Sequence, residues 1–368
     1  MMAGRDEKKA KNHEDEEEAK DRLSDLPDCV LLHILSFLPE TKWSVRTSVL
    51  SKRWKCLWAS LPDLIFNGWG CDTSFFKKFV RRVLSGRNNL PVSKFFFHYL
   101  GADKSLVTRI INYSVSHNVQ HFSIGLKFTS IRILFPLFSR CRSLKTLELE
   151  YFRELILLRD FSLPTLTTLH ICSCSFCSHG STRSIDPFLS LVNLKSLQLK
   201  DCNMAGVTSF KISGPQLHSL AIRQHCLWNG CKVEIFAPKL HSFLFIDTMP
   251  VEFSNLDFPL LEIAEIDAYL PDSEELFEKS HLNLINLFRG LYHAESLHVS
   301  SNTIEVLMEL PVVLEAQASP FGRLKTLNIE CCIKSFIIPD NVMNYFVSGS
   351  TFGENVSIEI QELSDFED

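Results

Sequence analysis

The segment SLKTLELE, residues 143–150, carries the pattern that decides the fold of this chain. Leu147 and Leu149 are two positions apart, so they leave the same side of an extended strand, and Leu144 precedes them by three and five residues. A strand this short cannot bury its apolar side alone. It becomes stable when neighbouring copies stack into one sheet with a continuous core.

The same spacing recurs along most of the chain. The copies are Val92/Phe95/Phe97, Val119/Phe122/Ile124, Leu144/Leu147/Leu149, Leu166/Leu169/Ile171, Leu194/Leu197/Leu199, Leu217/Leu220/Ile222, Leu240/Phe243/Phe245, Leu261/Ala264/Ile266, Ala294/Leu297/Val299 and Leu324/Leu327/Ile329. Their steps of about 21 to 33 residues centre near the length of a leucine-rich repeat. The pattern predicts an α/β fold over 92–350, an irregular repeat solenoid with a parallel sheet on its concave face. Helical spacing in two connecting segments, 107–115 and 282–291, predicts helices there.

Composition limits the classes of function. The net charge of −5 comes largely from the ends, so the near-neutral body argues against a nucleic-acid-binding surface. Residues 1–20 have almost no large apolar side chains and are predicted to be disordered, and 351–368 reads as an acidic tail. With no apolar run long enough for a bilayer and no secretion signal, we expect a cytoplasmic or nuclear protein whose twelve cysteines are reduced.

The segment LPDCVLLHILSFLP, residues 26–39, opens a small helical module assigned to 21–68. Val30, Leu31, Ile34, Leu35 and Leu38 recur at helical spacing, and a second helical pattern follows from Val45 to Trp58. The module is too short for a membrane anchor and too small to be stable on its own core. We therefore expect a protein partner to cover part of it.

A basic amphipathic pattern over 73–84 lies in a segment, 69–91, predicted to be a linker and capping helix. Phe76 and Val80 stand on its apolar side, and Lys77, Lys78 and Arg81 on its polar side. Such a helix can bind an acidic membrane or calmodulin. Capping of the repeat domain is the favoured interpretation.

The cluster HICSCSFCSHG, residues 170–180, offers ligands for a zinc site. The repeat supplies a competing explanation, because leucine-rich repeats place Asn or Cys three residues after the last strand position. Cys174, Cys202, Cys332 and Asn302 occupy that position. His170 would lie on the exposed side of the strand while Cys174 points inward, so no metal site and no cofactor are predicted.

The residues between the apolar strand positions are candidates for binding a protein substrate. They run from acidic through basic and apolar to acidic, which suits a ligand with matching groups, although a merely solvated face is the alternative. The predicted substrate-binding residues are Glu148, Glu150, His170, Gln198, Lys200, Arg223, Leu244, Ile246, Glu265 and Asp267. Adjacent exposed apolar side chains at Leu244 and Ile246 would be costly in water unless covered.

The segment LSDLPDCVLLHILSFLPETKWSVRTSVLSKRWKCLW, residues 23–58, resembles an F-box, in particular that of plant F-box/leucine-rich-repeat proteins. FKKFVRRVLSGR (76–87), NVQHFSIGL (118–126) and the repeats resemble the same family. Many such proteins continue into a C-terminal domain called FBD. This sequence shows no such domain, so a short form of the family is expected.

The resemblance implies a non-catalytic adaptor of a Skp–cullin–F-box ubiquitin ligase. Its F-box would dock on a Skp-type adaptor, and through it on a cullin, while the repeats hold an unidentified protein substrate. The residues implied in the adaptor contact are Leu26, Pro27, Leu31, Ile34, Leu35, Leu38, Val49, Leu50 and Trp54. The alternatives are a scaffold or decoy that delivers no substrate, and a zinc- or thiol-dependent protein.

Overall fold

A computed structural model describes residues 23, 25–87, 89–99, 101, 103–127, 138–155, 163–177, 183–204, 206–223, 230–248, 252–269, 274–331, 337–352 and 355–362. The chain divides into two compact units, which meet in sequence between Leu61 and Pro62. The segment predicted to be disordered, 1–20, lies outside the described residues.

The first unit consists of short helices around a small apolar core. Its helices are α1 (Asp28–Ser36), α2 (Thr41–Arg46) and α3 (Trp54–Leu57), with 3-10 turns at Thr47–Val49 and Trp58–Ser60. Asp28 lies in the first turn of α1, where the helix dipole favours a carboxylate, and it accepts a 2.8 Å hydrogen bond from Nε of Arg53. This contact joins the beginning of α1 to the residue before α3.

The second unit is organised by a parallel sheet, in which the described residues form twelve strands. Its order follows the chain: β1 (Asp63–Asn67), β2 (Lys94–Tyr99), β3 (His121–Leu126), β4 (Thr146–Glu150), β5 (Thr168–Cys172), β7 (Ser196–Lys200), β9 (Ser219–Arg223), β11 (Ser242–Thr248), β13 (Ile263–Tyr269), β14 (Ser296–Ser300), β15 (Thr326–Cys331) and β16 (Ser357–Glu362). The ten predicted repeat copies coincide with the strands from β2 to β15. Their repeated apolar residues are buried.

Elements between the strands cover the core side of this sheet. A smaller parallel sheet contains β6 (Ser184–Ile185), β8 (Ser209–Ser213), β10 (Lys232–Phe236) and β12 (Glu252–Ser254). The other covering elements are helices α4 (Thr73–Gly86), α5 (Lys104–Ser116), α6 (Glu274–Gly290), α7 (Ser301–Met308), α8 (Pro311–Ala316) and α9 (Asp340–Val347). The helices predicted at 107–115 and 282–291 are therefore present, as α5 and α6.

Aromatic contacts join the strands to the elements that cover them. Phe76 of α4 stacks on Phe97 and Tyr99 of β2, with ring centroids 5.8 and 5.4 Å apart. Phe245 of β11 meets Phe253 of β12 at 5.4 Å, so the two sheets share one core. Each such pair contributes about 0.5–1.5 kcal/mol beyond the area that it buries.

The turns after three successive strands repeat one backbone conformation. Tyr151, Ser173 and Asp201, directly after β4, β5 and β7, have φ of 64°, 52° and 52°. This left-handed conformation turns the chain sharply, and the next residues, Phe152 and Cys174 among them, return to the core. The sequence repeat thus produces a repeated turn as well as a repeated strand.

The sheet extends beyond the predicted repeat domain at both ends. Strand β1 pairs with β2 although Asp63–Asn67 was assigned to the helical module, and β16 pairs with β15 although Ser357–Glu362 was assigned to an acidic tail. Leu61, Leu64 and Phe66 have the repeat spacing and are buried. Helix α4 accordingly connects two strands of the sheet, which corrects its assignment to a linker.

No helix among the described residues is long and apolar enough to cross a membrane.

Candidate functional site

Three of the predicted adaptor-contact residues form the core of the first unit. Leu31, Leu35 and Trp54 are at most 4% exposed, and they pack with Leu57 and Leu61. Side chains this buried cannot reach a partner in this conformation. Their placement corrects the prediction, because they support the surface of the unit from below.

Leu26 and Leu38, two further predicted contact residues, are partly buried against the same core. They lie two residues before the first residue and two residues after the last residue of α1. Each keeps some accessible surface. Both are therefore packing residues that can still border a contact surface.

The remaining predicted contact residues are exposed. Val49 is 87% exposed, Leu50 59% and Ile34 39%, and Pro27 is exposed as well. The 3-10 turn at Thr47–Val49 interrupts the helical spacing assumed from the sequence, so Val49 and Leu50 leave the side on which Trp54 is buried. We call Ile34, Phe37, Val49 and Leu50 the exposed apolar group.

Phe37, Val30 and Trp43 are further exposed apolar residues of this unit that the predicted adaptor contact did not include. Phe37 is 73% exposed, Trp43 40% and Val30 39%. Phe37 directly follows α1. In this apolar stretch, spacing along the sequence does not indicate which side chains are buried. Several large apolar side chains exposed on so small a unit make it a candidate interaction surface.

In the second unit, the predicted substrate residues lie on one face of the main sheet. Side chains of each strand alternate between the core and the opposite side, which we call the open face. Glu148, His170 and Gln198 occupy equivalent positions on adjacent strands. Lys200 and Arg223 are also directly paired, and Ile246 follows Arg223 on the next strand. The parallel register therefore aligns residues that are 20 to 30 positions apart in sequence.

Two glutamates and two histidines are in contact at the beginning of this array. Nδ1 of His170 lies 3.4 Å from Oε1 of Glu148, and Nδ1 of His98 lies 3.6 Å from Oε2 of Glu150. The hydrogen bond from His170 lowers the pKa of Glu148, whereas burial, and then the charge of Glu148, raise the pKa of Glu150. Burial lowers the pKa of His98 to about 4, so its imidazole is neutral at pH 7.

A cavity of about 430 Å³ opens on the same face across β1 to β4. Its lining includes Ile65, Lys94, Phe96, His121, Ser123 and Glu148. The sequence interpretation missed its apolar side because β1, which carries Ile65, was assigned to the helical module. A repeat-spacing search continued back to Leu61 would have found this strand.

Leu244 is buried, contrary to the prediction of an exposed apolar pair. It is 8% exposed and lies between Ala221 and Glu265 in the strand register. Ile246 retains partial exposure. Side chains on neighbouring strands therefore cover Leu244, and the exposed apolar pair does not form.

Asp267 has a structural role that its sequence position did not indicate. Its carboxylate accepts hydrogen bonds from the hydroxyl of Ser300, from Nδ2 of Asn302 at 3.0 Å and from the hydroxyl of Tyr269 at 2.6 Å. Ser300 is the N-cap residue of α7. Asp267 thus holds the start of a helix, while Glu265 on the same strand is exposed.

Comparison with known proteins agrees with both units. Residues 23–66 match the family model described as the F-box domain. The putative F-box protein At3g58860 of Arabidopsis thaliana is 30% identical over 339 residues, which cover 85% of this chain and 69% of the relative. The chain belongs to the plant F-box/LRR-repeat family.

Other relatives carry both parts of the family name. The F-box/LRR-repeat protein At3g59190 of Arabidopsis thaliana is 27% identical over 320 residues, 78% of this chain and 81% of the relative. The F-box/LRR-repeat protein At4g14103 of the same plant is 29% identical over 333 residues, 85% of each chain. Similarity over these lengths extends far beyond residues 23–66, the part that matches the F-box domain, and so into the repeats.

The cysteines of this F-box/LRR-repeat protein follow the architecture of its repeats. Sγ of Cys174 lies 3.5 Å from the carbonyl oxygen of Leu149, and Sγ of Cys202 lies 3.6 Å from that of Ile171. Each thiol donates to the preceding strand, as predicted for the turn position. Burial raises the pKa of Cys174 to about 12, so it stays a thiol rather than a metal-binding thiolate.

Among the described residues, no group of three or more His, Cys, Asp or Glu side chains is placed to hold a metal ion. His179 and Cys332, which the sequence interpretation also considered, lie outside the described residues. Asn302 differs from the cysteines, because it lies in α7 and binds a carboxylate rather than a backbone carbonyl.

Proposed function

We propose that this F-box protein is the substrate-recognition adaptor subunit of a Skp–cullin–F-box ubiquitin ligase. The observation that carries the proposal is the exposed apolar group on the F-box. Val49 and Leu50 together present two adjacent side chains with most of their surface in water. Burying a Val or Leu side chain stabilises a complex by about 1.5–3 kcal/mol, so a Skp-type adaptor that covers them gains affinity from each.

The open face of the repeats is proposed as the substrate surface. Its basic pair, Lys200 and Arg223, adjoins Ile246 and is preceded along the sheet by Glu148 and Glu150. A protein segment with an acidic group next to an apolar one complements the basic and apolar part. The substrate itself is unidentified.

The proposed mechanism is proximity rather than catalysis by this chain. The F-box fixes the chain to the Skp adaptor and the cullin, and the repeats hold a target lysine near the ligase's ubiquitin-charged enzyme. Linking the two binding events raises the effective concentration of that lysine, which accelerates transfer without a new reactive group. The site of action is proposed to be the cytoplasm or nucleus.

Adaptor docking is tested by co-purification of the full chain with a Skp adaptor. Val49→Asp/Leu50→Asp is expected to abolish co-purification, because two carboxylates would be buried without partners. Leu189→Asp/Val192→Asp is the matched control, since these residues are 54% and 52% exposed and belong to the repeat unit. Adaptor binding that survives Val49→Asp/Leu50→Asp, or a wild type that never binds, contradicts the proposal.

Substrate delivery is tested separately. Proteins captured under proteasome inhibition are compared between wild type and Lys200→Glu/Arg223→Glu, with Lys78→Glu/Lys104→Glu as a charge-matched control. A target lost only from the first variant, which accumulates when the chain is removed from cells, supports an adaptor. If the Skp adaptor binds but no protein accumulates, the chain acts as a scaffold or decoy.

A further inference from the structure

A second cavity, of about 590 Å³, lies along the edge of the sheet at which the strands begin. Its lining comes from the residues just before β3, β4, β5, β7 and β9, among them Arg142, Ser143, Lys145, Thr165, Asn193 and Lys195. We call this the basic edge cavity. None of the described residues that line it is acidic, and Pro164 is its one non-polar lining residue among them.

Several neutral polar side chains of the cavity are explained by the fold. Ser143, Thr165 and Asn193 donate hydrogen bonds of 2.8–2.9 Å to the backbone carbonyls of Val119, Leu144 and Pro164 respectively. These carbonyls belong to the preceding repeats. The neutral groups therefore join successive repeats and need no ligand to account for them.

The side chains of the three cations in the cavity do not join repeats in this way among the described residues. Arg142, Lys145 and Lys195 are exposed, and within the described part of the chain no ion pair or side-chain hydrogen bond engages any of them. The backbone N–H of Thr167 donates to the carbonyl of Lys145, and the N–H of Lys195 donates to the carbonyl of Thr167. Lys145 and Lys195 therefore lie two strands apart, on either side of Thr167. Their backbones are thus separated by roughly 10 Å, within reach of long side chains that meet on one anion.

At the opposite end of the same edge, cations close to the beginning of a strand form ion pairs with carboxylates of the protein. Lys325, just before β15, lies 2.5 Å from a carboxylate oxygen of Glu295, and Arg323 lies 3.7 Å from the same side chain. Lys94 at the start of β2 is likewise 3.9 Å from Asp63. Lys94, Arg323 and Lys325 are therefore paired with carboxylates of the protein, whereas among the described residues no carboxylate is paired with a cation of the basic edge cavity.

We propose that the basic edge cavity binds a phosphate group. One dianionic phosphate compensates the charge of two lysines, and the guanidinium of Arg142 can bind it through two parallel hydrogen bonds. The volume admits the phosphate together with the group that carries it. This inference does not rest on the proposed ligase function, because the cavity belongs wholly to the repeats.

The test uses the full chain and calorimetric titration with four probes. They are inorganic phosphate, pyrophosphate, a phosphoserine peptide and the same peptide without phosphate. Lys145→Glu/Lys195→Glu is expected to weaken binding of the phosphorylated probes at least about tenfold, because two attractive charges become repulsive. Lys78→Glu/Lys104→Glu, with the same change in net charge on exposed helix positions, is expected to keep wild-type affinity.

The probes distinguish the source of the phosphate. Tighter binding of the phosphoserine peptide than of pyrophosphate supports a phosphorylated protein ligand, and the reverse supports a small phosphorylated molecule. The proposal is overturned if wild type binds no phosphorylated probe at concentrations up to about 10 mM. Such a probe would bind more weakly than a ligand with a millimolar Kd. It is also overturned if both double variants lose affinity equally, or if Lys145→Glu/Lys195→Glu keeps it.

A folding check accompanies the titrations. Circular dichroism spectra and thermal midpoints of the two double variants should match those of wild type, since all four lysines are exposed. Lys145→Arg/Lys195→Arg provides a second variant that retains the charge and should retain binding. An arginine variant that binds no phosphorylated probe would contradict the assignment of binding to positive charge at these two positions.

Discussion

Nδ1 of His98 lies 3.6 Å from Oε2 of Glu150, and the strand between them carries no side chain at the facing position. His98 pairs with Gly125, and Gly125 pairs with Glu150. A Cβ atom at Gly125 would lie 3.1 Å from the His98 ring, so glycine leaves the space that lets the two side chains meet. The contact joins strands β2 and β4 across β3.

The pH dependence of stability should reflect the buried imidazole. Burial lowers the pKa of His98 to about 4, whereas an unfolded histidine titrates near 6.5. Between these values the unfolded chain binds a proton that the folded chain does not, so the free energy of unfolding falls as the pH is lowered. In the wild type this effect should lower the free energy of unfolding by an amount on the order of 1 kcal/mol at pH 5, and His98→Gln should abolish that decrease. Urea unfolding from pH 7 to 4.5 measures it.

Glu150→Gln provides a control of opposite sign. Its raised pKa means that the folded state binds a proton at higher pH than the unfolded state does, which gives a stabilising contribution as the pH falls. Without that contribution, Glu150→Gln should show a steeper loss than wild type. A slope for His98→Gln equal to that of wild type would refute the assignment.

The core and the surface of the F-box should respond differently to truncation. Leu35 is 2% exposed, so Leu35→Ala should lower the free energy of unfolding of residues 28–57 by about 2–5 kcal/mol. If the unit is less stable than this, the variant should be unfolded there. Val49→Ala should change it by less than about 0.5 kcal/mol, since Val49 is 87% exposed. Hydrogen exchange read by mass spectrometry reports both. Equal protection in the two variants would contradict this division.

Cysteine reactivity should follow the repeat architecture. Cys174 and Cys202 are buried and donate to backbone carbonyls, whereas Cys29 and Cys56 are exposed. Brief treatment of the native chain with iodoacetamide should label the exposed pair and spare the buried pair, and labelling in urea should reach all four. Peptide mass spectrometry gives the extents. Rapid native labelling of Cys174 would be incompatible with its thiol pKa of about 12.

The two acidic residues of β13 should differ in their effect on stability. Asp267→Ala removes the acceptor of Ser300 and Asn302 at the start of α7, and should cost about 1–3 kcal/mol in urea unfolding. Glu265→Ala should stay within about 0.5 kcal/mol, because Glu265 is exposed. Similar costs for the two variants would mean that the α7 contact contributes little.

Sequence spacing predicted the repeated strands well because the signal is local. In a strand, alternate side chains face the same side, so Leu147 and Leu149 report burial directly. The same argument predicted the turn position of Cys174. It failed at β1, where a helical pattern ends close by although Leu64 and Phe66 keep the spacing, and at β16, where Ser357–Glu362 was assigned to an acidic tail.

The sequence alone therefore determined the F-box family, the parallel repeat sheet and the composition of its core. Tertiary structure decided which side chains are available to partners. A 3-10 turn exposes Val49 and Leu50, neighbouring strands cover Leu244, and the start of α7 engages Asp267. Strand register brings Lys145 and Lys195 to one cavity from positions 50 residues apart. The physical reason is that the exposure of a side chain to partners depends on packing between elements that are distant in sequence. Strand formation depends on the spacing of apolar residues within one short segment.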